Sequence, residues 1–152
     1  MSEPIKRHQK LQPLSREHHH SLLLCWKIRT GFKKQVEPKR IKRYADWFFD
    51  NHIQPHFEAE EQYIFPILGK DHELVKKAMS QHRRLFRLFN ISNEIEKALG
   101  LIEEELEQHI RFEERILFNK IQEIATSNEL EQFKKHHREK QFEENIKDEF
   151  WK

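Results

Sequence analysis

Apolar residues recur at three- and four-residue steps along most of the chain, which predicts long amphipathic helices. The first segment runs from about Pro13 to Val36 on Leu11, Leu14, Leu22, Cys25, Ile28 and Phe32. Pro13 suits a first helical turn, and Gly31 lies near the end. The second begins at Pro38, carries Ile41, Ala45, Phe48, Phe49, Ile53, Phe57, Ile64 and Phe65, and stops near Pro66 and Gly69. Pro55 falls inside it with the pattern in phase on both sides, so a kink rather than a break is expected. The third runs from about Asp71, a plausible N-cap, through Leu74, Val75, Ala78, Leu85 and Phe86 to Phe89. The fourth starts near Ser92 or Asn93 and continues through Ile95, Leu99, Ile102, Leu106, Ile110, Leu117 and Ile121. A charged tail follows Thr126, with Leu130, Phe133, Phe142 and Ile146 expected to face inward on a fifth helix.

No strand pattern competes, and short connections between long helices favour antiparallel neighbours. The expected fold class is all-α: an antiparallel four-helix bundle with an additional short C-terminal helix. Residues 1–152 read as a single domain, with a core bundle over about 11–125 and the last helix over about 128–150.

Composition narrows the function classes. The 152 residues include 3 Gly and 5 Pro, too few for a many-turned β fold. A chain this long can bury a core without a structural metal. The net charge of +2 is no nucleic-acid signature, and the pairs Arg83–Arg84 and Lys33–Lys34 read as solvated helix faces. The sole cysteine, Cys25, suits core packing and a reducing compartment. The polar stretch Met1 to Gln12 lacks the apolar region of a leader, and no apolar run is long enough for a membrane. A cytoplasmic location with neither nucleic-acid nor membrane partner is expected.

Histidine changes the picture: there are 11. The second segment contains His56-Phe-Glu-Ala-Glu60-Glu61 and the fourth His109-Ile-Arg-Phe-Glu113-Glu114, both His-x-x-x-Glu-Glu. Residues four apart share a helix face, so His56 aligns with Glu60 and His109 with Glu113. Apolar neighbours bracket both pairs, while Glu61 and Glu114 lean to the margin, facing solvent or supporting the pairs. His82 lies on the apolar face of the third segment. In the run His18-His19-His20 the apolar arc selects His18, with His19 as the alternative. The inward set is therefore His18, His56, Glu60, His82, His109 and Glu113. Buried carboxylates are costly unless paired or bound to metal, and mixed His/Glu donors suit iron, with manganese or zinc as competitors. His52, one turn before His56, is a candidate supporting or spare ligand, while His8, His20, His72, His136 and His137 read as surface.

The order His, His-x-x-x-Glu, His, His-x-x-x-Glu, with its flanking HIQPHFEAEEQYIFPIL and HIRFEERILF, resembles the hemerythrin-like cation-binding domains over roughly Leu11 to Ile124. The resemblance implies an up-and-down four-helix bundle with an oxo- or hydroxo-bridged di-iron centre. In it His18, His56, His82 and His109 would be terminal ligands, and Glu60 and Glu113 would bridge two Fe ions. The oxygen carriers of that family have a further histidine one turn after the third-helix ligand, where this chain has Phe86. The set is more similar to the four-His, two-Glu members linked to nitric oxide, peroxide or iron handling. The expected function is a non-haem di-iron protein that binds oxygen or a related small molecule as binder or sensor. The alternatives are a peroxidase- or nitric-oxide-reductase-like enzyme, an iron-handling or repair protein, or a bundle that holds no functional metal. The charged tail either packs on the bundle or docks a protein partner of unknown identity.

Overall fold

A computed structural model describes residues 6–152. Residues 1–5, the start of the stretch read above as lacking a leader, lie outside the described residues. The fold is all-helical, with five helices and no strand among the described residues. After a 3₁₀ turn at Gln9–Leu11, helix α1 spans Gln12–Lys33. Helix α2 is continuous over 38–68, α3 spans Glu73–Phe89, α4 is continuous over 95–124, and α5 spans Ser127–His136. Among the described residues, no helix is long and apolar enough to cross a membrane.

The caps differ from expectation in detail. His72, not Asp71, caps α3, its Nδ1 accepting the Leu74 N–H at 3.1 Å. Helix α4 starts at Ile95 rather than at Ser92 or Asn93, after Glu94 in the left-handed region (φ 48°). α5 opens on a full capping box between Thr126 and Glu129.

The bends have a specific form. Helix α2 widens into π turns at Phe49–Ile53 and Glu60–Ile64, and α4 into one at Glu113–Leu117. Two of them directly precede Gln54-Pro55 and Phe65-Pro66. A proline has no N–H for the ladder, and a π turn has already interrupted that ladder. The turn in α4 has no proline; there the guanidinium of Arg7 donates to the Glu114 carbonyl at 2.5 Å.

Two apolar clusters form the core. One includes Leu24, Ile28, Phe48, Phe57, Leu85 and Leu106; the other includes Leu14, Ile64, Ala78, Leu117, Phe118 and Phe133. Burying such side chains contributes on the order of 1.5–3 kcal/mol each, so the fold has a core independent of any ligand. Along each of α1 to α4 the expected inward polar residues fall between residues of the two clusters.

The tail departs from the expected helix over about 128–150. α5 ends at His136, because nothing apolar follows Phe133 until Phe142 and a helical face has no core to bury. Residues 137–152 instead run as an irregular strap over the bundle. Phe142 is half-buried, Phe150 and Trp151 are buried, and Ile146, expected inside, is 75% exposed. Gly31 makes the docking possible: a Cβ there would stand 2.8 Å from Phe150 Cε2 and 2.8 Å from Ile41 Cδ1. The strap is pinned where Lys27 Nζ donates to Glu144 at 2.6 Å and where Arg40 pairs with Asp148 at 2.7 Å.

Candidate metal centre

The structure brings all six inward candidates into one buried cluster. His18 comes from α1, His56 and Glu60 from α2, His82 from α3, and His109 and Glu113 from α4; none is more than 4% exposed. His19 points to solvent, which leaves His18 as the α1 member. His52 is not in the cluster; its ring packs on Trp47, Phe48 and Phe142.

The donors form two overlapping quartets, His18–His56–Glu60–Glu113 and Glu60–His82–His109–Glu113. Within each, one ligand atom per residue lies within 4.8 Å of all the others, and both quartets share both carboxylates. Glu60 stands 3.3 Å from His56 Nε2 and 3.2 Å from His82 Nε2. Glu113 stands 2.9 Å from His18 Nε2 and 3.2 Å from His109 Nε2. The Nε2 atoms of His18 and His56 face each other at 3.0 Å.

Every imidazole is held by its other nitrogen. His18 Nδ1 donates to Glu114 at 2.8 Å, His56 Nδ1 to Glu17 at 2.8 Å, His82 Nδ1 to Glu61 at 2.7 Å, and His109 Nδ1 to Gln81 at 2.6 Å. An acceptor at Nδ1 fixes the ring and directs Nε2 inward, the arrangement that supports metal-bound histidines. Glu61 and Glu114 thus take the supporting role, one of the two readings the sequence allowed. Glu17 and Gln81 escaped the sequence reading, although each adjoins a cluster histidine: Glu17 precedes His18, and Gln81 precedes His82. His137, read as surface, donates to Glu17 at 3.1 Å with its side chain only 9% exposed.

The π turns belong to the site. Two of the three begin at a shared glutamate: one closes when Phe65 N–H donates to the Glu60 carbonyl, the other when Phe118 N–H donates to that of Glu113. The two His-x-x-x-Glu-Glu segments therefore repeat in backbone as well as in sequence. Three of the resulting aromatic rings close the cluster: Phe57 stacks on His82 at 3.7 Å between centroids, Phe65 lies 5.3 Å from His82, and Phe118 lies 5.4 Å from His18.

Electrostatics show how poorly the cluster is satisfied by itself. Burial, and then the neighbouring Glu113, push Glu60 well above the usual carboxylate range. Burial also opposes charge on Glu113, but His109 and His18 outweigh it and hold that carboxyl well down. Burial opposes charge on His82, yet Glu60 and Glu61 raise it to about 9. Glu17 is held at about 2, the hydrogen bonds from His137 and His56 overcoming desolvation. Seven buried side-chain atoms among the described residues are without a hydrogen-bond partner, and five of them lie in the cluster: both oxygens of Glu60, His82 Nε2, His109 Nε2 and Glu113 Oε2. Unsatisfied buried polar atoms are rare, and here they converge on one another. Nitrogen and carboxylate donors around a common centre fit a metal ion, and these buried groups could hold one.

A cavity of about 540 Å³ between α2 and α3, lined by Phe49, Phe57, Met79, Phe86 and Arg83 among others, reaches Glu61 and His82. Phe86, the residue at the position discussed above, is half exposed at this cavity and contributes no ligand atom. No protein-family model, curated protein or solved structure matches the chain.

Proposed function

We propose that the chain is a hemerythrin-like protein, an antiparallel up-and-down four-helix bundle that holds two iron ions and binds oxygen, nitric oxide or peroxide. The observation that carries this reading is the pair of quartets sharing Glu60 and Glu113. One quartet would hold each ion, with the two carboxylates common to both. The antiparallel arrangement is supported by contacts between α1 and α4: Ser15 reaches Glu114 while Arg29 reaches Glu103, so the two helices run in opposite directions.

Iron bound there would supply redox chemistry and coordination positions for a small ligand. The chain's own residues do the rest. Glu17, Glu61, Gln81 and Glu114 hold the imidazoles by Nδ1. Phe57, Phe65 and Phe118 keep water from the buried donors. Manganese and zinc accept the same donor types and are the competing ions. The buried thiol of Cys25 suits a reducing, cytoplasmic setting.

The cavity that reaches His82 favours a second reading, an enzyme that consumes peroxide or nitric oxide, because it offers a substrate a way in. Iron-loaded protein, prepared under argon and then given oxygen, nitric oxide or peroxide, separates the two. Spectral change that saturates without consumption means a binder or sensor. Sustained consumption means an enzyme, and no change with any of the three contradicts both.

A further inference from the structure

His137 lies on none of the four long helices. It is the first residue after α5, with an extended backbone (φ −96°, ψ 116°). Its ring stacks on the buried Phe133, 5.1 Å between centroids and 15° from parallel. Its Nε2 donates to Glu17 Oε2 at 3.1 Å, and Glu17 Oε1 accepts from His56 Nδ1 at 2.8 Å. One carboxylate thus has an oxygen on the strap's first residue and an oxygen on a cluster histidine. Glu114 and Glu61 show a contrast: Glu114 is held by Ser15 from α1, while among the described residues no hydrogen bond besides that from His82 fixes Glu61.

The strap is fixed on the far side of His137 too. Lys27, 7% exposed, donates to Tyr44 at 2.8 Å and to Glu144 at 2.6 Å, and its ammonium stands 4.2 Å from the Trp151 ring centroid. Between these anchors, strap residues His137, Arg138, Lys140 and Phe142 wall a cavity of about 280 Å³. Its other wall is formed by α1 and α2 and includes Glu17 and His56.

We propose that His137 is a positioning residue of the metal centre, coupling the docking of the C-terminal strap to metal binding through Glu17 and His56. The acceptor on a metal-bound histidine sets its ring orientation and its basicity. His137 holds the second oxygen of that acceptor, so undocking the strap frees Glu17 to rotate away from His56. Coupling of this kind is reciprocal: if the docked strap tightens metal binding, bound metal tightens the strap by the same factor. The two ends of the relation are therefore measurable separately.

The inference rests on the metal-centre reading above, and the test separates the two. Zn²⁺ affinity is measured by competition with a chromophoric chelator for the full-length chain, His137→Ala and His137→Gln. Tryptic cleavage at the exposed Arg138 and Lys140 is timed with and without Zn²⁺. Expected are a loss of about tenfold in affinity for His137→Ala and recovery in His137→Gln, whose amide can donate to Glu17. Zn²⁺ slows strap cleavage in the parent chain and not in His137→Ala. Equal affinity in the parent and His137→Ala, or cleavage that ignores Zn²⁺ in the parent, overturns the coupling and leaves the metal centre standing. A parent chain that binds no Zn²⁺ and no iron overturns both.

Discussion

Glu60→Leu should stabilise the metal-free protein while abolishing its response to metal. Glu60 is fully buried, and neither carboxylate oxygen has a hydrogen-bond partner. Burial and the adjacent Glu113 push its carboxyl well above the ordinary range, so in the metal-free fold it is a buried group that opposes its own charge and is unsatisfied. Removing it leaves no charge stranded: His82 keeps Glu61 at 2.7 Å, and Glu113 keeps His18 at 2.9 Å. Each unsatisfied buried polar atom costs about 1–3 kcal/mol, and leucine returns apolar contacts in similar space. Allowing for imperfect packing, a net gain of about 2 kcal/mol follows, or roughly 4–8 °C in melting temperature for a domain of this size. The assay is thermal unfolding by circular dichroism after chelation, with and without added Fe²⁺ under argon. Metal should raise the melting temperature of the parent and leave that of Glu60→Leu unmoved. Metal-free Glu60→Leu melting below the metal-free parent would refute the reasoning, because Glu60 would then be a structural group and not one held ready for a cation.

Three other outcomes follow from the same geometry. Glu61→Ala deprives His82 Nδ1 of its acceptor and should weaken metal binding about 10–100-fold by chelator competition, with little effect on metal-free stability. Glu144 is desolvated, but the Lys27 and Tyr44 hydrogen bonds hold its carboxyl below its ordinary 4.5. The depressed value means its stabilisation is present above pH 4.5 and lost as pH falls through the folded value. The melting-temperature gap between the parent and Glu144→Gln should therefore be constant near neutrality and close in acid; a gap that persists well below 4.5 contradicts this. Burial raises the Cys25 thiol to about 12, so thiol reagents at mildly alkaline pH should react with it only after unfolding.

The parts of the fold legible in the sequence were those with a period. The four long apolar arcs placed α1 to α4, and the two His-x-x-x-Glu-Glu segments stood out because four-residue spacing puts both side chains on one face. The direction of Leu11, Leu14, Leu22, Cys25 and Phe32 favoured His18 among three adjacent histidines, but His19 stayed open as the alternative until the fold exposed it. Glu17 and Gln81 were not legible, because each serves a histidine on another helix and that pairing exists only after the helices cross. Adjacency to a cluster histidine was their one local signal. The π turns had a partial signal in Pro55 and Pro66, and none in α4, where Arg7 from before α1 meets the freed carbonyl. The strap was misread because Phe142 and Ile146 are spaced like a helix face. Phe150 and Trp151, placed by the space above Gly31, decide its path instead.

The most direct test of the central claim is the metal content of protein loaded with Fe²⁺ under argon and then desalted, counted per chain. The two quartets predict close to two irons in the parent chain and a loss of most of it in Glu113→Ala, whose carboxylate belongs to both. A parent chain that retains no stoichiometric metal, or a Glu113→Ala variant that retains as much as the parent, would contradict the account.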